Sequence, residues 1–130
     1  MIKFKVLGKI QPKQRPRVTR FGTYTPQPTL DYESLVAWNY RKVSKVHCLD
    51  KPLELTVKAY FQLPKKTVNK VGDWCMKHVD LDNVVKIVSD SLNGVAYQDD
   101  KQIVSIIATK QWASEEYLEV EIREVENGRT

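Results

Sequence analysis

The stretch Val79-Asp80-Leu81-Asp82-Asn83-Val84-Val85-Lys86, answered by Gln98-Asp99-Asp100, constrains this chain more than any other. Between Asp82 and Asn93-Gly94 the pattern is helical. Leu81, Val84, Val85, Val88 and Leu92 form one apolar stripe, and Asn93-Gly94 is a C-terminal stop. Asp82 falls at or near the N-cap, and Asp80 stands two residues earlier on the extended entry. Lys86 follows Asp82 by four residues, on the same helical face. The chain then returns through Val95-Ala96-Tyr97 to Asp99-Asp100 and enters a strand. Two acids therefore precede or open a helix, and two more follow its exit.

Each of these residues has an ordinary structural use. Asp82 can cap the helix, Asp80 can be a solvated loop acid, Asp99-Asp100 can mark a turn, and Lys86 can make an i,i+4 ion pair. Taken together they fit a hard divalent cation such as Mg²⁺, which takes carboxylates, water and substrate phosphate oxygens. Packing such acids together without a cation brings like-charge repulsion. A lysine beside the ion suits the charge that develops on a phosphate during cleavage. The expectation is two acidic walls of one metal site. An EF-hand is excluded, because Val85 and Ser91 stand where its glycine and terminal glutamate belong. A doubly wound phosphatase built on Asp80-Leu81-Asp82 is excluded by the antiparallel pattern that follows. Cys48, Cys75, His47 and His78 match no usual zinc spacing.

The chain of 130 residues reads as one domain. Residues 2–9 alternate as a first strand. Gln11 to Arg17 contains two prolines, and residues 17–24 suggest a small ribbon turning at Gly22. Together they form an ordered arm that presents Arg15, Arg17 and Arg20. A helix is expected from Thr29, as N-cap, to about Cys48, with Asp31 and Glu33 in its first turn. Leu35, Val36, Trp38, Val43 and Val46 recur at helical spacing, with Trp38 and Tyr40 as packing residues. Residues 53–61 alternate as a half-buried strand. Residues 64–78 carry Lys65, Lys66 and Lys70 and read as a mobile basic loop. Ile103–Thr109 reads as a buried strand, Tyr117–Ile122 as its antiparallel partner, and 127–130 as a frayed tail. The fold class is α+β: about four strands in a mixed or antiparallel sheet, with two principal helices packed on it.

Charge points to a polyanion. The net charge is +5, and residues 1–30 hold seven Lys and Arg and no acid, whereas residues 111–130 are predominantly acidic. No apolar run approaches the roughly 20 residues of a membrane span, and the N-terminus lacks a signal-peptide core. The expected place is the cytoplasm, with two cysteines kept reduced.

Asp80-Leu81-Asp82-Asn83-x-x-Lys86, then Asp90-x-Leu92, then Asp99-Asp100-x-Gln102-Ile103, resembles the RusA-type Holliday junction resolvases. Arg15-Pro16-Arg17 and Tyr24-Thr25-Pro26 resemble their phage and prophage branch in Gram-positive hosts. The resemblance implies a homodimeric α+β endodeoxyribonuclease that cuts four-way DNA junctions by paired symmetric nicks, in recombination and repair, with Mg²⁺ or Mn²⁺ and no organic cofactor. It implies that Asp80, Asp82 and Asp100 hold the metal, that Asp99 assists them, that Lys86 is catalytic, and that Asn83 supports the acids. Arg15, Arg17, Arg20, Lys65, Lys66 and Lys70 are the candidates for DNA phosphates, and such an enzyme associates with the nucleoid when acting. Two other functions fit the residues: a broader nuclease on flaps or forks, and a DNA-binding module whose acids merely cap and turn.

Overall fold

The computed structural model describes residues 1–45 and 50–127. Strand β1, Ile2–Leu7, buries Phe4 and Val6 and turns Lys3 and Lys5 outward, as its alternation requires. It stops short of the expected residue 9, because Gly8 takes a positive φ of 99° that ends the strand. Residues 17–24 form the expected ribbon, with β2, Arg17–Thr19, antiparallel to β3, Gly22–Tyr24. The turn falls on Arg20 and Phe21, and Gly22 opens β3.

Helix α1 spans Gln27–Val43, with Pro26 as N-cap and Pro28 in the first turn. Proline fits there because its missing N–H would be unpaired in any case. The cap expected at Thr29 is therefore displaced, and Asp31 and Glu33 lie beyond the first turn. The Thr29 side chain is fully buried and bonds the arm instead. Tyr32, Val36 and Tyr40 form the inward stripe, and Tyr40 meets Phe4 edge-on at 6.0 Å. Trp38 is not a core residue. It lies two positions from both Val36 and Tyr40, roughly opposite them on the helix. It is 56% exposed, with the Lys42 ammonium 4.2 Å from its ring. Leu35 and Val43 are also exposed. Val46, Cys48 and His47 lie outside the described residues, as do positions 128–130 of the expected tail.

The main sheet is completed by β4, Leu53–Gln62; β5, Ile103–Ala113; and β6, Tyr117–Glu124, in the order β1-β6-β4-β5. Strand β6 is antiparallel to β1 and β4, and β5 is parallel to β4. This corrects the expected pairing of 103–109 with 117–122: β4 lies between them. Strand β5 is an edge strand rather than a buried one, with Val104 63% and Ile106 53% exposed. Helix α2, Leu81–Leu92, makes the connection between β4 and β5. Parallel neighbours need such a crossover, since a tight hairpin joins only antiparallel strands.

Both helices cover the sheet face that carries Leu55, Val57, Ala59 and Phe61, joined by Leu118, Val120 and Ile122. Helix α2 contributes Val84, Ile87, Val88 and Leu92, all fully buried. Each such aliphatic side chain stabilises the fold by about 1.5–3 kcal/mol relative to exposure. The opposite sheet face carries a charge ladder that includes Lys3–Glu119 at 2.7 Å and Arg123–Glu54 at 2.7 Å. Beside it, Tyr60 and Tyr117 stack at 4.7 Å.

The loop from 64 to 78 forms no helix or long strand, yet its second half is tied to the outer edge of β5. Gly72 N–H donates to the Trp112 carbonyl at 2.9 Å, Trp112 N–H to that of Asp73 at 2.9 Å, and Cys75 N–H to that of Lys110 at 3.0 Å. The buried Cys75 side chain anchors the same segment.

This packing predicts contrasting costs for two large apolar residues. Leu92→Ala is expected to lose about 2–5 kcal/mol of unfolding free energy in urea, and Trp38→Ala no more than about 1 kcal/mol. Equal costs contradict the assignment of α1's inward face.

Candidate active site

The two acidic pairs sit at opposite ends of the α2 crossover. Asp80 is the N-cap residue of α2, with extended backbone (φ −70°, ψ 114°), and Asp82 lies in its first turn. The Asp80 carbonyl accepts the first helical bonds, from Asn83 N–H at 3.1 Å and Val84 N–H at 3.2 Å. Its carboxylate makes no cap bond. Instead Asn83 Nδ2 donates to Asp80 Oδ2 at 3.4 Å. A helix N-terminus that leaves an adjacent carboxylate unspent as a cap keeps its oxygens open to another partner. The entry itself is fixed from β5, where Lys110 Nζ donates to the Lys77 and Val79 carbonyls, both at 2.9 Å.

At the exit, Asp99 and Asp100 differ. Asp99 caps the 3-10 turn Asp100–Gln102: its Oδ1 accepts from Lys101 N–H at 2.9 Å. Gln102 Oε1 accepts from the N–H groups of Gln98 and Asp99 in return. The Lys101 N–H, and then a hydrogen bond from Asp100, hold the Asp99 carboxyl below its usual range. Asp100 moves the other way. Its hydrogen bond to Asp99 raises its pKa, and slight desolvation and the negative charges of Asp99 and Asp90 add to this. Adjacent residues thus divide the work, one capping and one left with a proton held more tightly.

A third set of contacts was not legible in the sequence. Lys13 Nζ bridges Asp90 of α2 at 3.1 Å and Glu33 of α1 at 3.2 Å. Its backbone N–H donates to the Asn83 carbonyl at 2.9 Å. Burial works to lower the Lys13 pKa, and the bonds to Asp90 and Glu33 outweigh it, so the net shift is upward. The tether therefore holds at neutral pH and weakens only as pH rises through that raised value. Tyr97, in turn, donates its hydroxyl to the Ser89 carbonyl at 2.6 Å. Burial, with the charges of Asp100 and Asp90, raises its pKa. Nothing local around Lys13 signals Glu33, Asn83 or Asp90, which are at least 20 residues away.

The acids meet in pairs rather than in one group. Among the described residues, no three His, Cys, Asp or Glu side chains converge closely enough to hold one ion. Helix α2, with 12 residues, is about 18 Å long at ~1.5 Å per residue. The donor chemistry still fits a hard cation, since Mg²⁺ commonly takes one or two carboxylates and fills its remaining positions with water and substrate phosphate. Lys86 is exposed on the face of α2 that meets the arm and shares a cleft with Arg15 and Asn83. Arg17 lies in β2, and Arg20 at the ribbon turn stacks over Phe21 at 4.9 Å. Lys65, Lys66 and Lys70 are exposed on the β4–α2 loop.

The sequence matches the family described as Endodeoxyribonuclease RusA over residues 8–123. This chain belongs to the RusA endodeoxyribonuclease family. The match runs from the end of β1 to β6, so it takes in the arm, both helices and both acidic pairs. RusA proteins act on branched DNA junctions, and membership implies an endodeoxyribonuclease. An uncharacterized protein of Bacillus subtilis (strain 168), YqaN, is 32% identical over 140 residues, covering 95% of this chain and 96% of its own length. Among the described residues no helix is long and apolar enough to cross a membrane.

The exit pair yields a titration prediction. A carboxyl with a raised native pKa favours the fold below the ordinary Asp value, and that contribution is lost as pH rises through the native value. Asp99→Asn removes the carboxylate that accepts the Asp100 hydrogen bond, and with it the like charge, so the midpoint of the Asp100 Cγ NMR titration should move down. An unchanged midpoint contradicts the assigned cause.

Proposed function

We propose that this protein is a divalent-metal-dependent endodeoxyribonuclease that resolves four-way DNA junctions by paired symmetric nicks. The observation that carries the reading is the helix entry in a RusA-family chain: Asp80 at the N-cap and Asp82 two residues on in the first turn, the Asp80 carboxylate not used as a cap and in contact with Asn83.

In this reading Asp80 and Asp82, joined by Asp100 of a second copy across a dimer interface, would hold Mg²⁺, or Mn²⁺ in its place. When bound, the ion supplies charge neutralisation at the phosphate and acidifies water. Asn83 orients Asp80. Lys86 stabilises charge developing on the cleaved phosphate. Asp99 positions Asp100 through its cap and its shared hydrogen bond. Arg17, Arg20, Lys65, Lys66 and Lys70 supply sequence-independent phosphate contacts, so affinity falls steeply with salt. Such an enzyme works in the cytoplasm, at the nucleoid.

We propose that it acts as a homodimer, which matches the near two-fold symmetry of a four-way junction. The edge of β5 supports this. Its last residues are covered by the loop at 72–75, whereas Val104, Ile106 and Ile107 remain exposed on an unpaired edge. Long apolar edges of this kind are normally blocked or covered. Antiparallel pairing of this edge with its copy is self-complementary. It brings the Asp99–Asp100 end of one chain toward the Lys110–Val79–Asp80 end of the other, so the two acidic pairs approach across the interface.

The test is a panel of four-way junction, flap and linear duplex with Mg²⁺, Mn²⁺ or chelator. Symmetric nicks confined to the junction are expected. Cutting of all three substrates instead marks the broader nuclease, and binding without cutting under any metal marks a non-catalytic module. Asp82→Asn should abolish cleavage while keeping or tightening junction binding, because it removes a negative charge facing phosphate. Normal cutting by that variant would show the site is misplaced. Ile106→Lys should shift the protein from dimer to monomer in sedimentation and reduce cleavage with it.

A further inference from the structure

We infer that the cleft between the N-terminal arm and α2 is a phosphodiester subsite, in which Arg15 and Lys86 grip one DNA phosphate beside Asp80. The inference rests on the nuclease reading and adds to it a defined contact. The cleft has a volume of about 230 Å³ and is lined by Lys13, Gln14, Arg15, Pro16, Asn83 and Lys86. At about 30 Å³ per water, it holds a phosphate group together with several waters.

The walls of this cleft are fixed by folding. Ile10 is buried, and its N–H donates to Glu116 Oε2 at 2.6 Å. Lys13 is held by Asp90, Glu33 and the Asn83 carbonyl. Gln14 is bonded twice to the hydroxyl of Thr29, at 3.3 and 3.0 Å. Pro12 and Pro16 restrict the backbone on either side. Arg15 therefore extends from an anchored main chain, and much of the ordering cost of a ligand contact is met before the ligand arrives.

The charges are sorted in the same place. The Lys13 ammonium is balanced by two carboxylates. Arg15 and Lys86, by contrast, have no carboxylate within 4.0 Å among the described residues. Two uncompensated cations facing one cleft select an anion, and the guanidinium fork matches two oxygens of a phosphate. Among the described residues no aromatic side chain lines the cleft, so these offer no stacking platform for a base. Asn83 joins the cleft to the acids: it lines the wall, and its Nδ2 contacts Asp80. The phosphate bound by Arg15 thus lies next to the scissile one, with Lys86 between the two and shared by both, and the contact is indifferent to sequence.

The test uses the full chain with Asp82→Asn, which is expected to retain junction binding, and junctions that each carry one neutral methylphosphonate at a phosphate flanking the cut. Binding is measured by fluorescence anisotropy. One position should weaken binding about five- to tenfold, the scale of a single lost phosphate contact. Adding Arg15→Gln should weaken binding of the all-phosphate junction by a similar factor and make that one methylphosphonate silent, while the others keep their effect. Losses that multiply at every position overturn the subsite and leave the nuclease reading standing. A protein that binds no junction at all overturns both. If inorganic phosphate at millimolar concentration shifts the Arg15 and Lys86 NMR resonances while the losses still multiply, the cleft takes free anion and the phosphodiester assignment is overturned.

Discussion

The parallel pairing of β4 with β5 is the constraint on which the rest of the molecule depends. Parallel neighbours cannot be joined by a short turn, so the chain must travel the length of the sheet between Gln62 and Ile103. Helix α2 makes that return, and its apolar stripe of Val84, Ile87, Val88 and Leu92 supplies one wall of the core. The four acids lie at the two ends of this crossover. Asp80 and Asp82 are placed by the helix entry, and Asp99 and Asp100 by the turn that feeds β5. The same residues that hold the sheet together therefore fix where negative charge is presented.

Around this unit the chain uses long-range polar contacts to hold pieces that have little core of their own. Lys110 pins the approach to Asp80 from β5. Lys13 locks the arm to both helices through Glu33 and Asp90. Partly buried bonds to a charged group are each worth about 1.5–3 kcal/mol, enough to order an arm that proline has already stiffened. The consequence is an asymmetric surface. A carboxylate left free of capping stands at one side of Asn83, and a cleft with two cations that no carboxylate among the described residues pairs stands at the other.

Much of this was legible in sequence where local pattern decides the outcome. The alternation in Leu53–Gln62 and Ile2–Leu7, the ribbon at 17–24 and the stripe of α2 all report the face a residue turns to the core. Pairing between strands is not local. Ile103–Thr109 and Tyr117–Ile122 read as a hairpin because they are adjacent in sequence, and nothing within either run shows that β4 lies between them. Helix phase misled at Trp38, since a large aromatic residue between Val36 and Tyr40 in sequence invites burial, yet it falls on the side opposite the Tyr32-Val36-Tyr40 face. The acids were legible as a motif. That Asp99 spends its carboxylate on a cap whereas Asp80 does not depends on backbone geometry at the helix ends.

The central claim is that the crossover acids form the metal site. Mn²⁺ broadens NMR signals of nuclei near it, so titrating trace Mn²⁺ into ¹⁵N-labelled protein tests this directly, with and without an uncleavable junction. The account predicts that amides of residues 80–83 and 99–101 broaden first, and that excess Mg²⁺ restores them. Broadening that begins instead along Glu115–Glu126, with residues 80–83 unaffected even when junction is bound, would contradict it.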